Sequence, residues 1–140
     1  MQSGNKNDII SGVQNILDKI SLKKFLCEIR KNTEQSAINK PVDLQIKLLS
    51  NNRVLIVIEV ANVNSTQLIN EAVRLFYDSC PIKILILGGR NVPDNGKELC
   101  EKLLKRLYGQ DEIVHTPARV FKYDEDQLIE DTLKKFLILD

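Results

Sequence analysis

The sequence has one histidine, His115, and three cysteines, Cys27, Cys80 and Cys100, none of them in a C-x-x-C pair. A structural zinc site therefore has no ligand set. An odd number of scattered thiols also excludes a disulfide scaffold and points to a reducing, cytoplasmic setting. Each cysteine adjoins apolar residues, where it acts as a small core side chain, and none has a histidine near in sequence to activate it. Six glycines and four prolines are too few for a collagen or a linker. The longest uninterrupted apolar runs, such as Val54 to Ile58 and Ile84 to Leu87, fall far short of the ~20 residues that span a bilayer. Met1 to Asp8 is polar, so no secretory signal is expected. Charge of one sign is missing too: twenty bases meet nineteen acids, for a formal net charge of +1. That excludes a strongly basic nucleic-acid arm and an acidic tail, although a local patch survives a neutral total.

What remains is a chain of 140 residues, 43% hydrophobic and 28% charged, the size and composition of one compact domain. Ile9, Ile10, Val13, Ile16, Leu17 and Ile20 recur at helical spacing after a cap at Asn7 or Asp8. Ser21 restarts a second helix, with Leu22, Phe25, Leu26 and Ile29 on its apolar face. Asn32 to Lys40 loses the period, and Pro41 opens an extended segment. Val42 to Leu48 alternates as a half-buried strand does. After the turn residues Ser50-Asn51-Asn52, Arg53 to Ala61 is a nearly continuous β-branched run, as in a strand covered on both faces. An amphipathic helix follows with Leu68, Ile69, Ala72, Val73 and Phe76 inward. Ile82 to Leu87 is a further strand, and Leu99, Cys100, Leu103, Leu104 and Leu107 mark another helix. Arg119 to Tyr123 is a short strand, and a last helix buries Leu128, Ile129, Leu133, Phe136 and Leu137. The order is that of an α/β sandwich with a mixed sheet.

The hairpin carries the chemistry. If Ser50-Asn51-Asn52 is a three-residue loop, Leu49 faces Arg53, and Leu44 meets Ile58, Ile46 meets Ile56 and Leu48 meets Val54. Asp43 then faces Glu59. A slip by one residue would bury Glu59 among the apolar set, at heavy cost. Like charges opposed on a sheet are tolerated when a proton, a cation or solvent relieves them. Two carboxylates with water and phosphate suit a magnesium ion, which activates water for attack on a phosphodiester. The alternative is structural: Asp43 at an exposed strand end, and Glu59 paired with a lysine such as Lys47.

The P-V-D of residues 41 to 43, the I-E-V-A of residues 58 to 61 and the surrounding order of helix, hairpin, helix and strand resemble the PD-(D/E)XK superfamily, the restriction-endonuclease-like fold. The resemblance covers about residues 8–88, with the helix, strand and helix of 89–140 as a C-terminal addition to a single domain. It implies a magnesium-dependent nucleic-acid-processing protein, with Asp43 as the metal-binding aspartate and Glu59 as the acid of the second half-motif. Glu28 would match an acidic residue that some members carry on the first helix, and Gln67 a glutamine that opens the later helix. Ala61 stands where the family has its lysine. Lys47, on the polar face with Asp43, and Asn62 are the nearest replacements, neither of them a clean one. The resemblance also implies a first meander strand, which falls within Glu34 to Asn39. A catalytically inactive member, serving as a DNA-binding or protein-assembly module, is the other expectation. Magnesium, DNA rather than RNA, and a homodimer able to cut both strands are the implied cofactor and partners.

Basic residues add a weaker signal. Residues 1–47 hold eight bases against five acids, and residues 111–140 hold four against eight. Lys23, Lys24 and Lys31 near the first helix are the expected phosphate contacts. The stretch Gly89 to Lys97 departs from Walker A in spacing and carries Glu98 where Ser or Thr should stand, so it reads as an ordinary loop. His115 and the aromatics Tyr77, Phe121 and Tyr123 read as incidental or packing residues.

Overall fold

The computed structural model describes residues 5–20, 25–29 and 43–138. Helix α1 (Lys6–Lys19) is followed by strands β1 (Phe25–Ile29), β2 (Leu44–Leu48) and β3 (Val54–Ala61). Then come α2 (Ser65–Phe76), β4 (Ile82–Leu87), α3 (Gly96–Tyr108), a 3-10 turn (Ile113–His115), β5 (Ala118–Lys122) and α4 (Asp126–Ile138). The five strands form one sheet in sequence order. β1, β2 and β3 are an antiparallel meander, and β4 and β5 continue it parallel to β3.

Each face of the sheet has its own core. Ile46, Ile56, Ile58, Ile84 and Ile86 pack under α1, through Ile9, Val13 and Leu17, and under α4, through Ile129 and Leu133. Val57, Leu85, Leu87 and Val120 pack under α2, through Leu68, Ala72 and Phe76, and α3, through Cys100 and Leu104. β3 and β4 thus lie between two helical layers, which is why both read as unbroken apolar runs. The architecture is a mixed α/β sandwich. No helix among the described residues is long and apolar enough to cross a membrane.

Five sequence expectations need correcting. First, Phe25–Ile29 pairs with β2 as a strand instead of continuing a second helix. Short apolar runs do not distinguish the two periods, and a β2 left at the sheet edge would have unpaired backbone groups. Glu28 accordingly sits on β1, opposite Gln45, and not on a helix. Second, α1 is capped by the Asn5 side chain, which accepts from the Asn7 amide at 2.9 Å. The helix therefore begins at Lys6, ahead of the expected cap.

Third, the hairpin loop holds one residue more than expected. The Leu48 amide donates to the Arg53 carbonyl at 2.8 Å, and the Asn52 amide to that of Leu48. Asn52 takes a left-handed φ of 61°, a conformation asparagine tolerates better than most residues. Fourth, an irregularity at Ile46/Lys47 sets Lys47 against Val54, while Leu44–Ile58 and Ile46–Ile56 keep the expected pairing. A bulge absorbs the extra loop residue without turning the apolar side chains to the wrong face. Fifth, Leu128 is 46% exposed rather than inward. The expected meander strand at Glu34 to Asn39, the Pro41–Val42 pair and Lys23, Lys24 and Lys31 lie outside the described residues.

The turn after β4 is stereochemically demanding. Gly89 has a φ of +101°, and a Cβ there would come within 2.1 Å of the Asn62 side chain. Alanine is strained at that φ as well as crowded. Gly89→Ala is expected to cost about 2 kcal/mol, read as a lower denaturation midpoint with an unchanged m-value.

Candidate functional site

Asp43 stands just ahead of β2, at the edge of the sheet where the parallel strands β3, β4 and β5 end. Its amide donates to the Ile58 carbonyl at 3.2 Å. Its Oδ2 accepts from the Val60 amide at 2.7 Å. Asp43 therefore grips β3 on both sides of Glu59, and the carboxylate serves as one more rung of the ladder. The Leu44–Ile58 pairing continued by one step sets Asp43 opposite Glu59, as the sequence pattern requires.

Strand alternation gives the faces. Val57 and Ala61 belong to the core under α2 and α3, so Glu59 between them points to that face. Leu44 and Ile58 belong to the core under α1. Glu59 is only 4% exposed. A carboxylate so nearly buried carries a desolvation cost that a partner must offset.

The second oxygen of Asp43 already holds a cation. Lys6, the first residue of α1, sets its Nζ 3.0 Å from Oδ1, with the lysine side chain 49% exposed and the aspartate 16%. The sequence reading missed Lys6 because it began the helix after it. The overlooked signal was Asn5, a cap residue two positions before Asn7.

Other expected residues fall differently. Lys47 lies four positions along β2 from Asp43, roughly 13 Å at the rise of a strand, and is half-buried. Ala61, in the position of the family's lysine, is 1% exposed within the core that includes Leu68 and Ala72 of α2. A lysine there would have to thread its ammonium through apolar side chains. Asn62 is spent on a turn: its Oδ1 accepts from the Asn91 amide, and its side chain lies against Gly89. Gln67 is exposed in the first turn of α2, where its amide donates to the Asn64 cap.

Along the same edge, beyond Asn62, a cleft of about 160 Å³ opens over the ends of β4 and β5, lined by Gly88, Gly89, Asp94, Lys97, Lys122 and Tyr123 among others. Crevices at the carboxyl ends of parallel strands are where α/β sheets bind ligands. The stretch Gly89 to Lys97 lines this cleft, so it is more than a connection. Lys97 reaches both oxygens of Glu125 at 3.0 Å, while the Lys122 amide donates to Glu125 Oε1 at 2.7 Å.

Among the described residues no three or more histidine, cysteine, aspartate and glutamate side chains gather as a metal cluster. The Asp43–Glu59 pair is the smaller set that magnesium accepts when water and phosphate complete the shell. The donor chemistry fits: two carboxylates come from adjoining strands, and one of them already holds an ammonium. The cysteines offer no alternative centre. Burial pushes the Cys100 thiol up to about 12 and raises that of Cys80, which leaves both poor nucleophiles.

No protein-family model matches this chain, and a search of curated proteins finds no relative.

The Glu125 contact yields a pH dependence. Burial raises its carboxyl, but the Lys122 amide and the hydrogen bond and charge of Lys97, with the charge of Lys122, outweigh burial and hold it below the usual value. A carboxyl depressed in the folded state stabilises the fold at neutral pH and ceases to as pH falls through its folded pKa. Glu125→Gln should therefore cost on the order of 1 kcal/mol at pH 7. The gap between variant and parent should close as pH drops below the ordinary 4.5, measured by urea denaturation at a series of pH values.

Proposed function

We propose that this chain is a nucleic-acid-processing protein of the restriction-endonuclease-like fold, in which Asp43 and Glu59 hold magnesium for phosphodiester hydrolysis. The observation that carries the reading is the grip of Asp43 on the backbone either side of Glu59. Helix, three-stranded meander, helix and parallel strand succeed one another in the order the sequence resemblance implies, and that succession supports the fold assignment. The meander's first strand is β1, found earlier in the chain than expected.

Asp43 Oδ1 and the Glu59 carboxylate would hold the ion, whose chemistry is to offset phosphate charge and make its coordinated water acidic. The chain's own groups do the rest. The Val60 amide fixes the Asp43 carboxylate so that Oδ1 has one direction to face. The burial of Glu59 keeps bulk water from its side of the pair. Gln67 at the exposed start of α2, with the lysines of the amino-terminal region, would contact the DNA backbone.

A second reading has a specific observation in its favour. Ala61 and Glu59 are both nearly inaccessible, which suits a member that has lost its chemistry and serves as a DNA-binding or assembly module.

Isosteric variants separate the two. Asp43→Asn keeps an acceptor for the Val60 amide while removing charge, and Glu59→Gln keeps the volume. With magnesium or manganese and duplex, branched or single-stranded DNA, the parent should cut and each variant should lose roughly a hundredfold, about 3 kcal/mol of barrier. Salt-sensitive DNA binding by all three proteins without cutting would establish the module and end the hydrolytic proposal.

A further inference from the structure

The Lys6 contact is odd on its own terms. A lysine in the first turn of a helix puts positive charge at the positive end of the helix dipole, which is unfavourable. Nothing in the amphipathic pattern of α1 demands it, since the buried residues of that helix are Ile9, Val13, Ile16 and Leu17. The compensation is Asp43, reached from the helical layer on the far face of the sheet because Asp43 sits at the strand's end. Only Oδ1 meets Lys6. Oδ2 is committed to the Val60 amide, so the oxygen that Lys6 covers is the oxygen a metal would need.

We infer that the Lys6 ammonium and a divalent cation are alternative occupants of Asp43 Oδ1, so that loading the site requires Lys6 to leave. This rests on the reading of Asp43 and Glu59 as a metal pair. An ion pair half open to solvent contributes little, and the flexible four-carbon stem of lysine releases its head into water readily. A doubly charged ion with a second carboxylate within reach displaces it. The position also answers the missing lysine of β3. Ala61 has no room for a cation, whereas α1 brings one to the same carboxylate from outside the sheet, where it can move.

Manganese binding tests this without any substrate. Free Mn2+ is followed by its electron paramagnetic resonance signal during titration of the parent, Lys6→Gln, Lys6→Arg and Asp43→Asn. Circular dichroism and thermal melts establish that each is folded. Lys6→Gln is expected to bind about fivefold more tightly, the effect of a competitor worth somewhat under a tenfold factor. Lys6→Arg, which keeps the charge, should stay near the parent, and Asp43→Asn should lose binding. Equal affinity in the parent and in Lys6→Gln, with binding lost in Asp43→Asn, would overturn the competition while leaving the metal pair intact. If neither the parent nor Lys6→Gln takes up manganese, the metal pair itself falls, and the competition with it. Should Lys6→Gln unfold, Lys6→Ala with the parent's melting profile replaces it, and the same comparison decides.

Discussion

One aspartate fastens the amino end of β2 to the carboxyl end of β3, and the candidate site depends on that fastening. Asp43 uses its amide on Ile58 and its carboxylate on Val60, so its position relative to Glu59 is set by backbone rather than by side-chain rotamers. Groups held through backbone contacts keep their geometry without spending rotamer entropy at the moment of binding. The same fastening accounts for the tolerance of two acids so near one another. Asp43 is neutralised from one side by Lys6 and receives a hydrogen bond from the other. That relief is local, and it does not require either carboxyl to be protonated.

The sheet directs everything toward one edge. β3, β4 and β5 run parallel, so the loops after them gather at a common end. There Glu59, Asn62, the Gly88–Gly89 turn and Lys122 follow one another across neighbouring strands. Asn62 is the hinge of this row. It packs on Gly89 and receives the Asn91 amide, which couples the end of β3 to the loop lining the cleft. The cleft's far wall is fixed by Glu125, which ties the first turn of α3 to the end of β5 through Lys97 and the Lys122 amide. A nucleic-acid backbone lying along this edge would meet charged and polar groups held by short contacts, which is what positioning a phosphate requires.

The hairpin was legible in the sequence because two independent constraints agreed. Alternation in Val42 to Leu48 and the apolar run after Arg53 each demanded a face, and only one pairing satisfied both. The extra loop residue was not legible. Loop lengths of three and four are both compatible with Ser50-Asn51-Asn52, and a bulge hides the difference from the hydrophobic pattern. The strand β1 was misread for the opposite reason. Phe25, Leu26 and Ile29 fit a helical face as well as a short strand, and the deciding factor is the unpaired edge of β2, which is a tertiary fact. Lys6 escaped notice through a two-residue error in a helix boundary, the least certain part of any pattern reading. The cleft was invisible because it arises where loops separated by some thirty residues converge.

Ala61 is the residue that most constrains the chemistry. It lies beneath α2 in the same core as Leu68 and Ala72, so the alanine is a packing residue and cannot be exchanged for lysine without opening the helix–sheet contact. Such a core costs more to rebuild than a surface side chain costs to recruit. A cation for this carboxylate therefore has to come from a place where bulk is free, and the first turn of α1 is such a place. Lys6 is half exposed, makes no demand on either core, and touches the one Asp43 oxygen that Val60 leaves available. The packing of α2 and the placement of Lys6 are two consequences of a single constraint, the lack of volume beside Glu59.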